Sequence, residues 1–160
     1  IRIGRMERLI EDLLLYARAG RQHKESTAVN VPDLISNIIE MHPVPAHFSI
    51  KQDIRIAEIS AAKTPLETVL RNLFSNALKH HHGTQPEITL SAEPSGSYCL
   101  FKVIDNGPGI PEIAQERVFR LFQTLNTQHS SGSGIGLALA KRLTESHGGQ
   151  IEPVSYTHLT

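Results

Sequence analysis

A chain of 160 residues with 39% hydrophobic residues is long enough to bury a core as one domain with at most an appendage. Its 16 Lys+Arg balance its 16 Asp+Glu, so no overall basic field draws it to nucleic acid or to an anionic membrane, and any anion site must be local. The single cysteine, Cys99, excludes an internal disulfide, and its apolar setting marks it as a buried structural thiol suited to a reducing compartment. No apolar run approaches transmembrane length and the N-terminus lacks the order of a signal peptide, so the polypeptide as given reads as soluble.

Residues 1–19 read as a helix, with Ile3, Met6, Ile10, Leu13 and Ala17 at alternating three- and four-residue spacing. That seam suits a coiled coil or bundle, and Leu9, Leu14, Leu15 and Tyr16 widen it, so the segment reads as the end of a longer helix. A polar linker (19–26) follows. Val29 to Val31 form a short strand candidate, and Pro32 suits the first residue of a helix reaching about Met41. The runs 48–50 and 54–56 alternate as strands do.

Lys63, Thr64 and Pro65 open a helix to about Lys79, with Thr64 as N-cap and a buried stripe of Leu66, Val69, Leu70, Leu73, Phe74, Ala77 and Leu78. Gly83 suits a left-handed C-cap for it. The runs 87–91 and 98–104 form a hairpin around 93–96, and 111–122 hold a short helix. Residues 123–131 are polar, weakly patterned and expected to be mobile. A glycine-rich stretch (132–136) then feeds a helix, from 137 to about 147, that stops at Gly148 and Gly149. Helices interleaved with hairpin-connected strands predict an α+β fold, a layered sandwich rather than a doubly wound one.

Three places carry chemistry. Asp105 closes the apolar run YCLFKVI (98–104) and is followed at once by N-G-P-G-I, a carboxylate held at a strand end with little bulk beyond it. Gly107 and Gly109 let the backbone turn tightly and approach a flat ligand, while Pro108 stiffens the turn. Asn72 and Asn76 share one helix face, with Lys79 and His80 a turn further on: hard amide oxygens for Mg²⁺ and a point charge for phosphates. Gly132, Gly134 and Gly136 before a helix offer N–H groups and a positive helix end to an anion, without the Lys-Ser/Thr of a Walker loop. Each feature alone also fits an ordinary turn, a solvated helix face or a plain glycine loop. His80, His81 and His82 fan out around a helix end, and no Cys or carboxylate spacing completes a zinc site.

Taken in order, the Asn-Asn-Lys helix, D-N-G-P-G-I, F-R-L-F and G-S-G-I-G-L resemble the four boxes of the sensor histidine kinase catalytic domain. Its GHKL superfamily also includes gyrase, heat-shock chaperone and mismatch-repair ATPases. The motifs cover residues 64–150, and 3–20 resemble the end of the second helix of a kinase dimerisation domain. The resemblance implies a two-layer α/β sandwich, a mixed sheet with helices on one face, preceded by a remnant of the dimerisation helix. It divides the chain at 1–22 (dimerisation helix end and linker), 23–153 (ATP-binding catalytic domain) and 154–160 (tail).

The same resemblance makes ATP and Mg²⁺ the cofactors. Asn76 becomes the Mg²⁺ ligand, with Asn72, Lys79 and His80 the catalytic set near metal or phosphates. Asp105 accepts a hydrogen bond from the adenine amino group, and Gly107 and Gly109 flank the base. Phe119 and Phe122 match the F box, 123–131 a short lid, and Gly132, Gly134, Gly136 and Leu137 wrap the phosphates. The implied activity is protein-histidine kinase: the γ-phosphoryl group passes to a histidine on the kinase's own dimerisation domain and then to a response regulator receiver domain. The implied setting is a cytoplasmic domain of a full-length homodimer, with any membrane anchor upstream; nucleic acid is not an expected partner.

Two departures stand out. None of His23, His42, His47, His129 or His147 has the Glu/Asp-then-Pro context of a phosphoacceptor, so the acceptor is expected outside this fragment. After Ile151 the family continues with a strand, a glycine turn and a last strand, which VSYTHLT (154–160) does not supply; the tail reads as foreign. A serine-type kinase of the same superfamily and a non-catalytic nucleotide-binding regulatory module are the alternative readings. In the resembling chaperone and gyrase ATPases a Glu stands four residues before the metal-binding Asn; here that residue is Asn72.

Overall fold

The computed structural model describes residues 2–19, 25–81, 83–107, 109–115, 117–120 and 135–153. In chain order its elements are α1 (Arg2–Arg18), β1 (Thr27–Asn30), α2 (Val31–Glu40), β2 (Ser49–Ile54), β3 (Glu58–Ala61), α3 (Lys63–His80), β4 (Glu87–Ser95), β5 (Tyr98–Asp105), α4 (Glu112–Gln115) and α5 (Gly136–Ser146). They fall into two compact units, Glu25–Gly109 and, from both ends of the chain, Ile1–Lys24 with Ile110–Thr160.

In the 25–109 unit the sheet order is β2-β4-β5, with β2 parallel to β4 and β4 antiparallel to β5. Parallel pairing needs a crossover, and β3 with α3 supplies it. The turn between β4 and β5 is tight, with Gly96 at φ 62°, a conformation that costs a residue without a Cβ nothing. Pro94 is tolerated in this central strand because it lies beyond the last β2 partner, where β4 pairs on one side only.

One face of the sheet is apolar. Ile88, Leu90 and Ala92 of β4 are buried with Val31, Leu34, Ile35 and Ile38 of α2 and with Leu70, Phe74 and Ala77 of α3. Residues opposite one another in an antiparallel pair share a face, so Val103 beside Leu90 and Phe101 beside Ala92 extend the same core. The alternate residues carry charge: Lys51–Glu87 (3.2 Å) and Lys102–Glu93 (3.5 Å) are exposed ion pairs that contribute solubility more than stability. Helices on one face of a mixed sheet and charge on the other give the expected two-layer α+β arrangement.

Several local expectations needed revision. β1 ends at Asn30, and Val31 already belongs to α2, because the Asn30 side chain accepts a hydrogen bond from the Asp33 N–H (3.0 Å) and caps the helix there. Asn30→Ala is therefore expected to lower unfolding free energy by about 1 kcal/mol, read as a shift in the urea midpoint at unchanged slope. β3 was not anticipated; it exists because β1 offers it an edge, pairing Val29 with Ile59. Thr64 is not the N-cap of α3. Ala62 takes that position without a side-chain bond, and Thr64 lies inside the first turn, its carbonyl accepting from Thr68 Oγ1 (2.9 Å). The other end of α3 is closed by His81 in an extended conformation (φ −97°, ψ 114°), not by a left-handed Gly83. Cys99 is half-buried rather than buried, and desolvation still pushes its thiol above the ordinary value.

In the other unit α5 buries Ala138, Leu139, Ala140 and Leu143 and packs with α1. The Arg142 guanidinium lies over the Tyr16 ring, 4.8 Å from its centroid, a cation–π contact between the two helices. α5 stops where the sequence says: Gly148 adopts φ 81°, its N–H bonds the Glu145 carbonyl (3.1 Å) and the Gly149 N–H bonds that of Thr144 (2.9 Å). That is the paired-bond closure a left-handed glycine permits. Met6, Ile10 and Leu13 of the α1 seam are exposed. Among the described residues no helix is long and apolar enough to cross a membrane.

Candidate functional site

The site in the 25–109 unit is built from one helix face and one strand end. α3 packs against β5 through its apolar stripe, with Phe74 and Ala77 in the same core as Phe101 and Val103. Asn72 and Asn76 lie off that stripe at a spacing that keeps them on one face, and both are half-buried. The Asn72 Nδ2 group is buried with no hydrogen-bond partner among the described residues. An unsatisfied buried amide costs about 1–3 kcal/mol, so a polar partner for this group would be stabilising. Lys79 and His80, at the C-terminal end of the helix, are exposed. Lys79 also borders a cavity of about 220 Å³ with His42, Pro43, Pro45, Ser75 and Leu78.

Asp105 is the last residue of β5 and stands opposite Ile88, which is fully buried. Cross-strand partners share a face, so the carboxylate is placed on the helix-covered side of the sheet rather than on the charged one. Its Oδ1 accepts the Gly107 N–H at 2.8 Å, which locks its orientation. A Cβ on Gly107 would lie 2.9 Å from that same oxygen and push it aside, so glycine leaves the carboxylate in this orientation. Gly109 turns the chain with φ 78°. Pro108 lies outside the described residues.

Between the helix and the strand end stands a pair the sequence reading passed over. His81 Nε2 meets Asn106 Oδ1 at 2.6 Å, and that oxygen also accepts the Glu87 N–H (2.8 Å) while Asn106 Nδ2 donates to the Gln85 carbonyl (3.0 Å). In the sequence His81 stands out only as one of three adjacent histidines. The signal was its position: the first residue past a helix whose face carries the amides.

The structure thus brings Asn72, Asn76, Lys79 and His80 together on α3, and joins the end of α3 to the loop holding Asp105, Gly107 and Gly109. Gly136 and Leu137, in the other unit, open α5; the cap residue Ile135 makes no side-chain bond to the helix, leaving the first-turn N–H groups free of a side-chain cap. Phe119 is half-buried, with Lys141 Nζ 5.9 Å from its ring centroid. Gly132, Gly134, Phe122 and the 123–131 segment lie outside the described residues.

A family model described as histidine kinase-, DNA gyrase B- and HSP90-like ATPase matches residues 61–157. The phytochrome-like protein Cph1 of Synechocystis sp. is 31% identical over 93% of this chain and 20% of its own length. The sensor protein CreC of Escherichia coli is 36% identical over 92% of this chain and 32% of its own. Among solved structures, the catalytic domain of histidine kinase ThkA superposes with a TM-score of 0.70 at 26% identity, over 83% of this chain and 90% of that one. Full-length ShkA in complex with AMPPNP gives 0.75 at 26% identity, over 91% and 33%. The chain belongs to the histidine kinase-, gyrase- and HSP90-like ATPase family, in its histidine kinase catalytic-domain branch. It spans a fifth to a third of the length of these two curated relatives.

Proposed function

We propose that this chain is the ATP-binding catalytic domain of a two-component sensor kinase, taking Mg²⁺-ATP and donating its γ-phosphoryl group to a histidine outside these 160 residues, for onward transfer to a response regulator. The observation that carries the reading is the Asp105 carboxylate, fixed by Gly107 on the helix-covered side of the sheet, at the strand end tied to the α3 face of Asn72 and Asn76. An ionised carboxylate can only accept hydrogen bonds, so it selects the amino group of adenine and repels the carbonyl of guanine. Asn76 supplies a hard oxygen for Mg²⁺, and Asn72, whose Nδ2 has no hydrogen-bond partner among the described residues, lies on the same face. Bound Mg²⁺ neutralises charge on the phosphates. Lys79 and His80 lie one turn on, exposed, as charge or hydrogen-bond partners for phosphate oxygens. The phosphate-side roles of Gly132, Gly134, Gly136 and Leu137 rest on the sequence motif, together with the 1–22, 23–153 and 154–160 division, a homodimeric full-length kinase and a cytoplasmic setting.

Isothermal titration of ATP and GTP tests the reading. ATP is expected to bind at least tenfold tighter than GTP. A hydrogen bond to a charged group contributes about 1.5–3 kcal/mol, so Asp105→Ala is expected to weaken ATP binding tenfold or more and to erase the preference. Equal affinities in the wild type, or no loss in the variant, overturns the assignment.

A further inference from the structure

We propose that His81 is a positioning residue for nucleotide recognition, coupling the end of the amide-bearing helix α3 to the adenine-reading loop through Asn106; the inference rests on the reading of Asp105 given above. The hydrogen bonds determine the form of the ring. Asn106 is oriented by two backbone partners, since its Oδ1 takes the Glu87 N–H and its Nδ2 donates to the Gln85 carbonyl. The atom facing His81 is therefore an acceptor, and the Nε2 at 2.6 Å must carry the proton. On the other side of the ring, the Gly83 N–H points at Nδ1 from 3.0 Å, so Nδ1 must be the acceptor. One tautomer satisfies both contacts, and the two observations reach it independently.

The ring is also held by packing. His81 is 9% exposed, with Phe48 meeting it edge-on at 6.0 Å between centroids. A Cβ on Gly107 would come within 3.5 Å of its Cδ2, so the imidazole forms part of the wall against which the glycine turn rests. A Cβ on Gly83 would lie 2.6 Å from Cε1, so any side chain there would press on the ring and displace it. Asn106 in turn holds the strand end, its own N–H reaching the Glu87 carbonyl (3.2 Å), and it sits between Asp105 and Gly107 in the chain. Removing the His81 N–H leaves Asn106 Oδ1 satisfied by Glu87, so the loss is one of position rather than of an orphaned polar group.

Nuclear magnetic resonance of the imidazole nitrogens of ¹⁵N-labelled protein, with the His81 signals assigned by their absence from His81→Gln, tests the first half. The Nε2–H tautomer is expected, and an Nδ1–H ring overturns the proposal. Titration with ATP and GTP tests the second. His81→Leu is expected to weaken ATP about 3- to 10-fold and to reduce the ATP-over-GTP ratio. His81→Gln, whose amide N–H reaches where Nε2–H does, is expected to stay within about twofold of wild type. Gly83→Ala keeps the histidine but crowds its ring, and is expected to reproduce the His81→Leu loss even if that variant fails to fold. Equal ATP-over-GTP ratios in wild type and both His81→Leu and Gly83→Ala overturn the proposal, as does a His81→Gln protein no better than His81→Leu. A wild type without ATP preference instead sinks the reading of Asp105, whereas a wild type that prefers ATP and loses it in Asp105→Ala but not in the His81 variants sinks only this one.

Discussion

Asn76→Ala is expected to cut Mg²⁺-dependent phosphoryl transfer by about 10²–10³-fold, the loss typical of one preorganised electrostatic contact, while leaving metal-free nucleotide binding close to wild type. The helix face explains the separation. On the proposed reading Asn76 offers a hard oxygen on α3 and Asp105 reads the base at the end of β5, so the two contacts are expected to fail independently. Transfer of radiolabel from γ-labelled ATP to a separately supplied dimerisation domain measures the first, and titration in the presence of a chelator the second. Asn72 provides the companion experiment. An amide cannot act as a general base near neutral pH, and general-base assistance contributes about 10²–10⁴-fold, so basal ATP hydrolysis should be slow although nucleotide is bound and positioned. Asn72→Asp should leave nucleotide binding measurable and hydrolysis above zero. An incoming imidazole is itself a nucleophile, so transfer to protein does not depend on that base. Wild-type turnover on water comparable to a dedicated ATPase would remove the argument from Asn72, and an Asn76→Ala protein with undiminished transfer would remove Asn76 from the metal site.

Phe74→Ala is expected to destabilise the 25–109 unit by about 3–5 kcal/mol. The ring is fully buried, sits in the cluster shared by α2, α3 and β4, and meets the His42 ring edge-on at 5.1 Å between centroids. His42 is itself fixed by an Nδ1–H bond to the Ile38 carbonyl (2.7 Å), so the cavity cannot close by a simple swing of that ring. Phe74 lies between Asn72 and Asn76 in the chain and anchors the opposite side of the same two turns, so the variant should also weaken nucleotide binding. Urea unfolding followed by circular dichroism reads the stability term. A loss of only about 0.5 kcal/mol, the range of surface substitutions, would show that the core has another anchor.

Much of the candidate site's secondary structure was legible because it is local. The three-four spacing of Leu66 to Leu78 with Asn72 and Asn76 off that stripe, the apolar run that delivers Asp105, and the Gly148 stop of α5 are each written within a few residues, where backbone sterics and periodicity act. Composition and charge likewise limited the chain to local anion sites. Only the tertiary structure decided which strands pair. β2 runs parallel to β4 across a crossover, and β3 exists because β1 presents an edge from about thirty residues away, a choice that depends on chain closure and shared burial rather than on either segment's own pattern. The same holds for the polar core of the site. That the Asn72 Nδ2 group is buried with no partner among the described residues depends on tertiary packing, and that His81 faces Asn106 rather than water follows from how the end of α3 meets the end of β5; a hydrogen bond between residues so far apart in sequence has no local signature, since its geometry is set by the packing of the elements that carry it.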